Sequence, residues 1–492
     1  MHKKVTNKIK ILLVYYENKL WYNIYIRKYV NFGGIYLDKN DVLELEIIDN
    51  GMNFEGIAKH EDKVIFIPEA ISGEKVKAKI LKNNKKFAFA KLEKVIIPST
   101  FREEPFCSVF HRCGGCSAQH IDYGMQLVMK NNMVRSVLRK ENVEFQKLNT
   151  TVGMGLPFYY RNKVQYPIRL DKNGNTVMGF YSKRSHQVIE NNCCYIQERV
   201  IDMLAKQIFE KIIEFKIKGY DEEKNEGDVR HLLLRRGYHT GEIMVIFVVN
   251  REEIVKEYKF KQLLESVKKL NENIKGVFVN INSSSTNEIL GDKTIKIIGE
   301  DYITDFIGTY RYFISPKSFF QVNTLQAEVL YNTLKENLEL NGNEVIFDLY
   351  SGVGSIGIFL SDKVKEIYGI EIEKTAVEMA NLNLKINDVK NAEYIAGSVE
   401  DKIEEFEKRN IAPDVIVVDP PRKGLDDKSI EYILNFSPKK IGYVSCNPAT
   451  MARDIKKLSE KYDIKKITPV DMFPHTSHVE CVSVLHRKNL EK

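Results

Sequence analysis

The sequence lacks the long apolar stretches that would tie it to a membrane or to export. It contains no run of about 18 apolar residues, so no transmembrane helix is predicted. The segment from Met1 to Lys28 has neither the uninterrupted apolar core nor the small-residue cleavage site of a secretory signal. We therefore expect a cytoplasmic protein.

Cysteine is also scarce, with 7 residues in a chain of 492. In a long cytosolic chain, cysteines serve more often as metal ligands or catalytic groups than as disulfides. Their spacing is therefore more informative than their number. The cysteines are Cys107, Cys113, Cys116, Cys193, Cys194, Cys446 and Cys481.

The excess of charge is small, with a formal net charge of +7 and a pI near 8.7. A mild basic bias fits a nucleic-acid partner, but many unrelated enzymes share it. The hydrophobic fraction of 43% is enough to build cores. No internal repeat or low-complexity tract is present, and the length predicts two to four domains.

Residues 1–40 are interpreted as an N-terminal extension. Gly33 and Gly34 can be encoded as GGAGGT, which is a bacterial ribosome-binding sequence. It would lie just upstream of Leu37, and one leucine codon, TTG, is an alternative bacterial start. One hypothesis is therefore that residues 1–36 are not translated, and the genomic codons would test it.

Residues 41–99 consist of short alternating runs separated by turn residues, which predicts a small β-barrel. Lysines are crowded in this segment. They form either a solvated face of the barrel or a surface that contacts RNA. They are Lys75, Lys77, Lys79, Lys82, Lys85 and Lys86.

Residues 100–314 are predicted to form a central α/β domain, in which a helix at 118–142 can pack on the catalytic domain. Residues 315–492 alternate short runs rich in valine and isoleucine with helical stretches. This pattern is typical of βαβ units and of a mainly parallel sheet that is buried on both faces. The sequence thus predicts a multidomain α/β protein.

The first of these strands leads into Gly352, Gly354 and Gly357, which have the spacing GxGxxG. Glycine allows a tight turn and a close approach of the backbone to a ligand. Glu371 ends the next strand and can accept hydrogen bonds from the ribose hydroxyls of an adenosine. The loop alone does not distinguish NAD from S-adenosylmethionine, and the glycines could also form a plain strand–helix turn.

Two further strand ends carry reactive groups. Asp419 is followed by two prolines, which make a stiff corner that can hold a planar base or simply end a strand. Cys446 lies at the carboxyl end of a later strand, where open α/β sheets place their ligands. A cysteine in this position is either a catalytic nucleophile or a small core residue.

A nucleophilic cysteine fits methylation at carbon 5 of uracil, which is too weak a nucleophile to react directly. Addition of a thiolate to carbon 6 makes carbon 5 nucleophilic, and a base must later remove the proton from carbon 5. Glu480 is the candidate base, although a carboxylate at a strand edge is more often solvated. His475 and His478 precede it and could orient groups or contact phosphates.

Together these residues resemble the RNA uracil-C5 methyltransferases, in particular the bacterial branch that carries an iron–sulphur cluster. The resemblance covers about residues 41–488. It rests on the segments SPKSFFQVNTLQAE (315–328), DLYSGVGSIGI (348–358), DPPRKG (419–424), SCNPAT (445–450) and HTSHVE (475–480).

The resemblance implies roles for individual residues. Cys446 matches the nucleophile and Glu480 the general base. It implies that S-adenosylmethionine is bound in a C-terminal Rossmann-like domain and that the barrel is a TRAM domain, which binds RNA. The residues implied in cofactor binding are Gln321, Tyr350, Gly352, Gly354, Glu371 and Asp419.

The resemblance also implies a 4Fe–4S cluster in the central domain. Four thiolates can hold either zinc or an iron–sulphur cluster, and composition does not separate them. Cys193 makes the fourth ligand ambiguous by one position, but the Cys-x-Ile-Gln context selects Cys194. The implied ligands are Cys107, Cys113, Cys116 and Cys194. Arg161, Asn162 and Lys163 match a segment on the RNA side, or form a solvated strand edge.

The expected function is transfer of a methyl group to a uridine of 23S ribosomal RNA by a monomer that needs no protein partner. The first alternative is the same chemistry on the T-loop uridine of transfer RNA. An NAD-dependent dehydrogenase shares the glycine loop, and an N-methyltransferase can share the Asp-Pro-Pro corner, but neither needs Cys446. A non-catalytic RNA-binding protein would keep the barrel and lose catalysis.

Overall fold

The computed structural model describes residues 37–488, which form two compact units. The first contains the described residues up to 49 together with 55–99, and the second contains 50–54 and the chain from residue 100 onward. The predicted extension up to residue 36, and the hypothesis that it is not translated, lie outside the described residues. In the part of the chain that is described, no helix is both long and apolar enough to cross a membrane.

The predicted β-barrel at the N-terminus is confirmed. Alternate residues of its fourth strand face the interior, so Val76 and Ala78 are fully buried while Lys77 between them is exposed. Among the lysines noted in the sequence, Lys82, Lys85 and Lys86 are exposed. The strands close in the order β1-β2-β3-β5-β4 and are β1 Val42–Asn50, β2 Gly56–His60, β3 Lys63–Ile67, β4 Lys75–Asn83 and β5 Phe87–Ile97.

The second unit begins with the cysteine-rich segment, followed by helix α1, Tyr123–Lys140, and the short strand β6, Lys147–Leu148. Asp122 starts α1, because its carboxylate accepts a hydrogen bond from the Met125 amide at 2.9 Å. Val134 and Leu138 of α1 are buried in one core with residues of the C-terminal sheet. The division between central and catalytic domains at residue 315 stays a prediction.

The central region is built on a six-stranded sheet in the order β14-β13-β12-β11-β7-β8. All seven residues of β12 are buried, because helices cover one face and the C-terminal core covers the other. Two hairpins, β9 with β10 and β15 with β16, flank the sheet. The elements are β7 Lys163–Leu170, β8 Thr176–Met178, β9 Phe180–Tyr181, β10 Val188–Ile189, α2 Arg199–Glu214, β11 Val229–Arg236, β12 Ile243–Val249, α3 Tyr258–Lys268, β13 Ile274–Ile281, β14 Lys293–Gly299, β15 Ile303–Ile307 and β16 Tyr310–Ile314.

The C-terminal region is an eight-stranded sheet in the order β19-β18-β17-β20-β21-β23-β22-β6. Its first five strands are parallel, and β23 runs antiparallel to β21. The predicted α/β architecture is thus confirmed. The elements are α4 Thr324–Leu338, β17 Val345–Leu349, α5 Ser355–Leu360, β18 Glu366–Glu371, α6 Lys374–Ile386, β19 Ala392–Ala396, α7 Val399–Lys408, β20 Val415–Val418, α8 Asp427–Phe436, β21 Lys440–Ser445, α9 Pro448–Leu458, β22 Tyr462–Val470 and β23 Glu480–Arg487.

Candidate active site

The predicted functional residues meet at one edge of the C-terminal sheet. Tyr350, Asp419 and Cys446 directly follow three neighbouring parallel strands, and Glu371 ends a fourth. Because β23 runs in the opposite direction, its first residue, Glu480, lies at the same edge. The chain continues from β17 to β18 on one side and later to β20 on the other, which makes this edge a topological switch point. Ligands bind at such points in open α/β sheets.

The three glycines of the loop after β17 are required for different reasons. A Cβ atom at Gly354, where φ is +77°, would lie 2.7 Å from the ring of Tyr394. A Cβ atom at Gly357 would lie 2.4 Å from the Tyr394 hydroxyl. A Cβ atom at Gly352 would have no other atom within 4 Å, so only the φ of +55° favours glycine there. The backbone at Gly352 is therefore open to a ligand.

Glu371 is fixed by the backbone of this loop and of its own strand end. Its two carboxylate oxygens accept hydrogen bonds from the amide of Gly352 at 3.0 Å and from the amide of Glu373 at 2.9 Å. Each oxygen retains acceptor capacity for a hydroxyl group. Ile372, beside it, is 69% exposed, which is unusual for an apolar side chain. An exposed apolar residue next to a held carboxylate suits an adenosine, and nothing in the sequence alone singles out Ile372.

Gln321 and Tyr350 are held by hydrogen bonds near the glycine loop. The Tyr350 hydroxyl shares a hydrogen bond with the Ser429 hydroxyl at 2.8 Å. Gln321 is mostly buried, and its side chain is hydrogen-bonded to Tyr331. The Tyr331 hydroxyl in turn lies 2.8 Å from the Ser355 hydroxyl at the start of α5. The residues predicted to bind the cofactor are thus connected to the loop that would receive it.

Two aspartates lie beside the loop, of which Asp348 is fully buried and Asp419 is partly buried. Burial raises the pKa of Asp419 to about 6. Burial also raises the pKa of Asp348 to about 7, with further contributions from the charges of Asp419 and Glu371, although a hydrogen bond from the Gly357 amide opposes the rise. Asp348 was not among the predicted site residues. Asp348 lies inside the sheet and holds the loop in place through the Gly357 amide. This structural role can be recognised only from the folded structure.

Cys446 and Glu480 occupy adjacent strand ends. Ser445 pairs with Cys481 in the antiparallel ladder, so the next position brings Cys446 opposite Glu480. Burial raises the pKa of the Cys446 thiol to about 11, and the charges of Glu480 and Asp419 add to this. Burial raises the pKa of Glu480, which is 7% exposed, to about 8, again with a contribution from Asp419. The pair therefore combines a sulfur nucleophile with a carboxyl group that titrates near physiological pH.

Arg422 supplies the positive charge at this site and was also absent from the predicted residues. Its guanidinium lowers the pKa of both Cys446 and Glu480, against the larger effect of burial. Its carbonyl accepts a hydrogen bond from the Asn447 side chain at 3.0 Å. The Asn447 side-chain oxygen Oδ1 accepts a hydrogen bond from the Ala449 amide at 3.1 Å and so caps α9. One asparagine therefore holds the loop of Arg422 against the loop of Cys446.

The four cysteines predicted as cluster ligands line a single cavity of about 320 Å³, and Cys193 is not part of its lining. Burial raises the pKa of the Cys116 and Cys194 thiols to about 12. Among residues 37–488, no three or more His, Cys, Asp or Glu side chains lie where they could hold one metal ion. The lining cysteines are Cys107, Cys113, Cys116 and Cys194.

The segment Arg161–Lys163 divides between two environments. Arg161 and Lys163 line the cysteine cavity. Asn162 is buried and donates hydrogen bonds to the Gln321 carbonyl at 3.0 Å and to the Thr324 hydroxyl at 2.9 Å. The interpretation of Asn162 as an RNA-facing or solvated residue is therefore wrong. Its side chain joins the central region to the segment that begins the C-terminal region.

His475 also differs from its interpretation as a phosphate contact. It is 4% exposed, and its ring packs against Phe106, Phe158 and Tyr123. Its backbone carbonyl accepts hydrogen bonds from the amides of Ser117 and Ala118, just beyond the cysteine-rich segment, at 3.0 Å each. The residue is thus part of the interior between the cysteine segment and the strand of Glu480.

Comparisons with known proteins agree with this architecture. Residues 248–488 match the tRNA (Uracil-5-)-methyltransferase family, and residues 39–92 match the TRAM domain. An uncharacterised RNA methyltransferase of Clostridium acetobutylicum is 43% identical over 453 residues, which are 91% of this chain and 98% of that protein. Another from Halalkalibacterium halodurans is 41% identical over 455 residues, covering 92% of this chain and 98% of that protein.

A solved structure extends the likeness to nearly the whole fold. The Pyrococcus abyssi tRNA (uracil-54, C5)-methyltransferase, in complex with S-adenosyl-L-homocysteine, has a TM-score of 0.71 and 29% sequence identity to this chain. The match covers 90% of this chain and 100% of that one. The relatives, the matched domains and the arrangement at the sheet edge lead to one conclusion. The chain belongs to the tRNA (uracil-5-)-methyltransferase family of S-adenosylmethionine-dependent RNA methyltransferases, and it carries an N-terminal TRAM domain.

Proposed function

We propose that this enzyme methylates carbon 5 of a uridine in 23S ribosomal RNA, with Cys446 as covalent nucleophile and Glu480 as general base. The observation that carries this proposal is the placement of the two residues at adjacent strand ends, beside Asp419 and the glycine loop. The chemistry needs a thiol and a base within reach of the same ring.

In the proposed reaction, Cys446 first loses its proton to solvent and its sulfur adds to carbon 6 of the uracil. The electrons of the former C5–C6 double bond then make carbon 5 nucleophilic. Carbon 5 takes the methyl group, and the electrons of the broken carbon–sulfur bond remain on the departing S-adenosylhomocysteine. Glu480 removes the proton from carbon 5, the C5–C6 double bond re-forms, and the bond from carbon 6 to Cys446 breaks. Cys446 leaves as a thiolate, and the product is 5-methyluridine.

The proposed cofactor site uses the residues around the glycine loop. S-adenosylmethionine supplies an electrophilic methyl group on a sulfonium. Glu371 would accept the ribose hydroxyls, and Ile372 would cover the adenine, since it presents apolar surface beside the carboxylate. The remaining polar contacts to the cofactor would come from Gln321, Tyr350, Gly352, Gly354 and Asp419.

We further propose that the cysteine cavity holds a 4Fe–4S cluster. Four cysteine thiolates are the usual ligand set of such a cluster. A four-iron cube is itself several ångströms across, so its ligands stand further apart than those of a single ion. The observation that supports this proposal is that the four cysteines line one cavity. Its ligands would be Cys107, Cys113, Cys116 and Cys194.

The chemistry at carbon 5 is the same for either RNA, and two substrates compete. The resemblance of the chain to family members with TRAM and cluster motifs favours 23S ribosomal RNA. The solved relative is named for uracil-54 of transfer RNA, which keeps that substrate as the second candidate. In either RNA the stacked target base must be extruded into the site, which costs a few kcal/mol.

Mass spectrometry of ribosomal and transfer RNA from a strain that lacks the gene tests the proposal. Loss of 5-methyluridine at a 23S site, restored by wild type but not by Cys446→Ala, is the expected result. Loss in transfer RNA alone would overturn the ribosomal substrate and leave the chemistry intact. RNA substituted with 5-fluorouridine should also form a stable adduct with Cys446, because fluorine does not leave as a proton. Absence of both methylation and adduct would overturn the covalent mechanism.

A further inference from the structure

Residues 471–479, here called the connector, join β22 to β23 and so determine where Glu480 lies. The connector has no regular secondary structure. Side chains from other elements bind its backbone instead, by donating to the carbonyls of Asp471, Met472 and Pro474 at 3.0 Å each. These donors belong to Gln326, Asn323 and Tyr160. An irregular segment held in this way has one defined path.

A fully buried ion pair lies at the start of the connector. Lys130 of α1 and Asp471 both have no exposed side-chain surface, and the ammonium lies 2.5 Å from one carboxylate oxygen. The same ammonium donates to the Phe473 carbonyl at 3.1 Å. The second carboxylate oxygen accepts from the Tyr123 hydroxyl at 2.9 Å. Three hydrogen bonds thus connect α1 to the connector, two from the Lys130 ammonium and one from the Tyr123 hydroxyl.

The preceding turn of α1 contributes a second contact to the connector. Gln126 is fully buried, and its side-chain oxygen accepts a hydrogen bond from the His475 amide at 3.0 Å. Its side-chain nitrogen donates to the carbonyls of Ala118 and Ile121, which precede the helix. One face of α1 therefore holds the connector at Asp471, Phe473 and His475, in addition to the three donors from other elements.

A buried ion pair is poor evidence for stability, because the cost of desolvating both charges can exceed their attraction. Apolar side chains of similar size would fill the same space. What an ion pair adds is a defined geometry, and here that geometry applies to the connector leading to Glu480. Neither Lys130 nor Asp471 contributes to the raised pKa of Glu480. Any effect on the base must therefore act through its position.

We propose that Lys130 and Asp471 are positioning residues for Glu480, holding the start of β23 where the carboxylate meets the proton on carbon 5. This inference rests on the proposed function. The base acts only after methyl transfer, so a misplaced Glu480 leaves the early steps intact. The methylated uracil then remains bonded to Cys446.

The test is the double variant Lys130→Met with Asp471→Asn, which removes both charges and leaves neither one buried without its partner. Glu480→Gln serves as the reference for loss of the base. The substrate is unmodified 23S ribosomal RNA transcript, or transfer RNA transcript if wild type methylates that one. Methyl-labelled cofactor and denaturing gels detect the methylated protein–RNA adduct. The double variant should accumulate this adduct, as Glu480→Gln does, with KM for RNA little changed and kcat lower by about 100-fold.

Arg251→Met with Asp228→Asn is the matched control, since it removes an ion pair of 2.7 Å in the central region. It should keep wild-type kcat and accumulate no adduct. If the Lys130 and Asp471 double variant does not fold, Tyr123→Phe removes a single hydroxyl from the same network and should accumulate the adduct to a smaller extent.

Two results would overturn the positioning role. One is wild-type kcat in the folded double variant, and the other is a lower kcat without any methylated adduct. If Glu480→Gln itself forms no adduct while wild type methylates RNA, the assignment of Glu480 as base fails, and the positioning proposal fails with it.

Discussion

Glu480 lies opposite Cys446 at the end of the β21–β23 ladder, and its negative charge raises the pKa of the Cys446 thiol. Burial is the larger cause, and together the two raise the pKa of the thiol to about 11, so that it is protonated at neutral pH. If Cys446 is the nucleophile, as proposed, it is unreactive until the site changes. Entry of a uracil and exclusion of water would alter the charges that these two groups experience.

The first prediction concerns the effect of the Glu480 charge on the pKa of Cys446. Glu480→Gln removes a negative charge, so the pKa of Cys446 should fall and its thiolate fraction at a given pH should rise. Alkylation of Cys446 by iodoacetamide, followed by mass spectrometry of its peptide, should therefore become faster at pH 8, while turnover stops. Glu371→Gln removes a carboxylate that does not affect the pKa of Cys446 and is the control. Equal alkylation rates in wild type and Glu480→Gln would contradict the prediction.

The second prediction is the pH dependence of catalysis. Glu480 acts as a base in its ionised form, and its pKa of about 8 lies above the ordinary value for glutamate. Activity should thus be low at pH 6 and rise through pH 8, because the ionised fraction of Glu480 rises over this range. Single-turnover release of free methylated RNA from the protein, the step that follows proton removal by Glu480, is measured from pH 6 to 9 and checks this. A flat profile over that range would exclude Glu480 as the group that limits the rate.

The third prediction isolates Arg422, whose positive charge lowers the pKa of both Cys446 and Glu480. Arg422→Gln should raise both values and move the pH profile to higher pH, with activity at pH 7 reduced several-fold. The effect is limited because the side chain is exposed and solvent screens its charge. Lys423→Gln removes the same charge from the next residue and should leave the profile in place. A shift of equal size in both variants would indicate an effect of net charge alone.

The sequence predicted that the strand-end residues lie at one edge of the sheet, because their positions follow from chain direction; their roles stay predictions. Asp419 and Cys446 each come directly after a short apolar run, and parallel strands bring such positions to one edge. Arg422 could not be chosen in this way, since an exposed arginine in a turn resembles any other in sequence. Ile372 can be recognised only from its exposure, and the exposure of a side chain is known only once the fold is known.

Long-range packing accounts for the rest of what the sequence could not show. Lys130 and Asp471 are separated by 341 residues, and nothing near either one indicates that they pair. Asn162 stands among charged residues in sequence, yet its side chain is buried against the segment of Gln321. In both cases the hydrogen-bond partner of a buried polar residue is far away in sequence, so the local sequence pattern does not indicate the contact.

The fourth prediction compares two glycines of the cofactor loop. Gly354→Ala forces a side chain into φ of +77° and against the Tyr394 ring, so thermal denaturation should show a loss of more than about 1–2 kcal/mol. Gly352→Ala carries only the conformational cost, because its Cβ would meet open space. Both should weaken binding of S-adenosylhomocysteine in calorimetry, but only Gly354→Ala should also show the larger loss of stability. Equal stability losses would contradict the packing argument.

The fifth prediction separates two neighbouring cysteines. Cys194 lines the cysteine cavity and Cys193 does not, although they are adjacent in the chain. If the cavity holds a 4Fe–4S cluster, Cys194→Ser should lose most of the iron, the acid-labile sulfide and the visible absorption of protein purified without oxygen. Cys193→Ser should retain them, which makes it a matched control of identical chemistry one residue away. Zinc in place of iron in the wild-type protein would overturn the cluster, and equal iron loss in both variants would overturn Cys194 as the fourth ligand. Because the readout is metal content, the result does not depend on finding the RNA substrate.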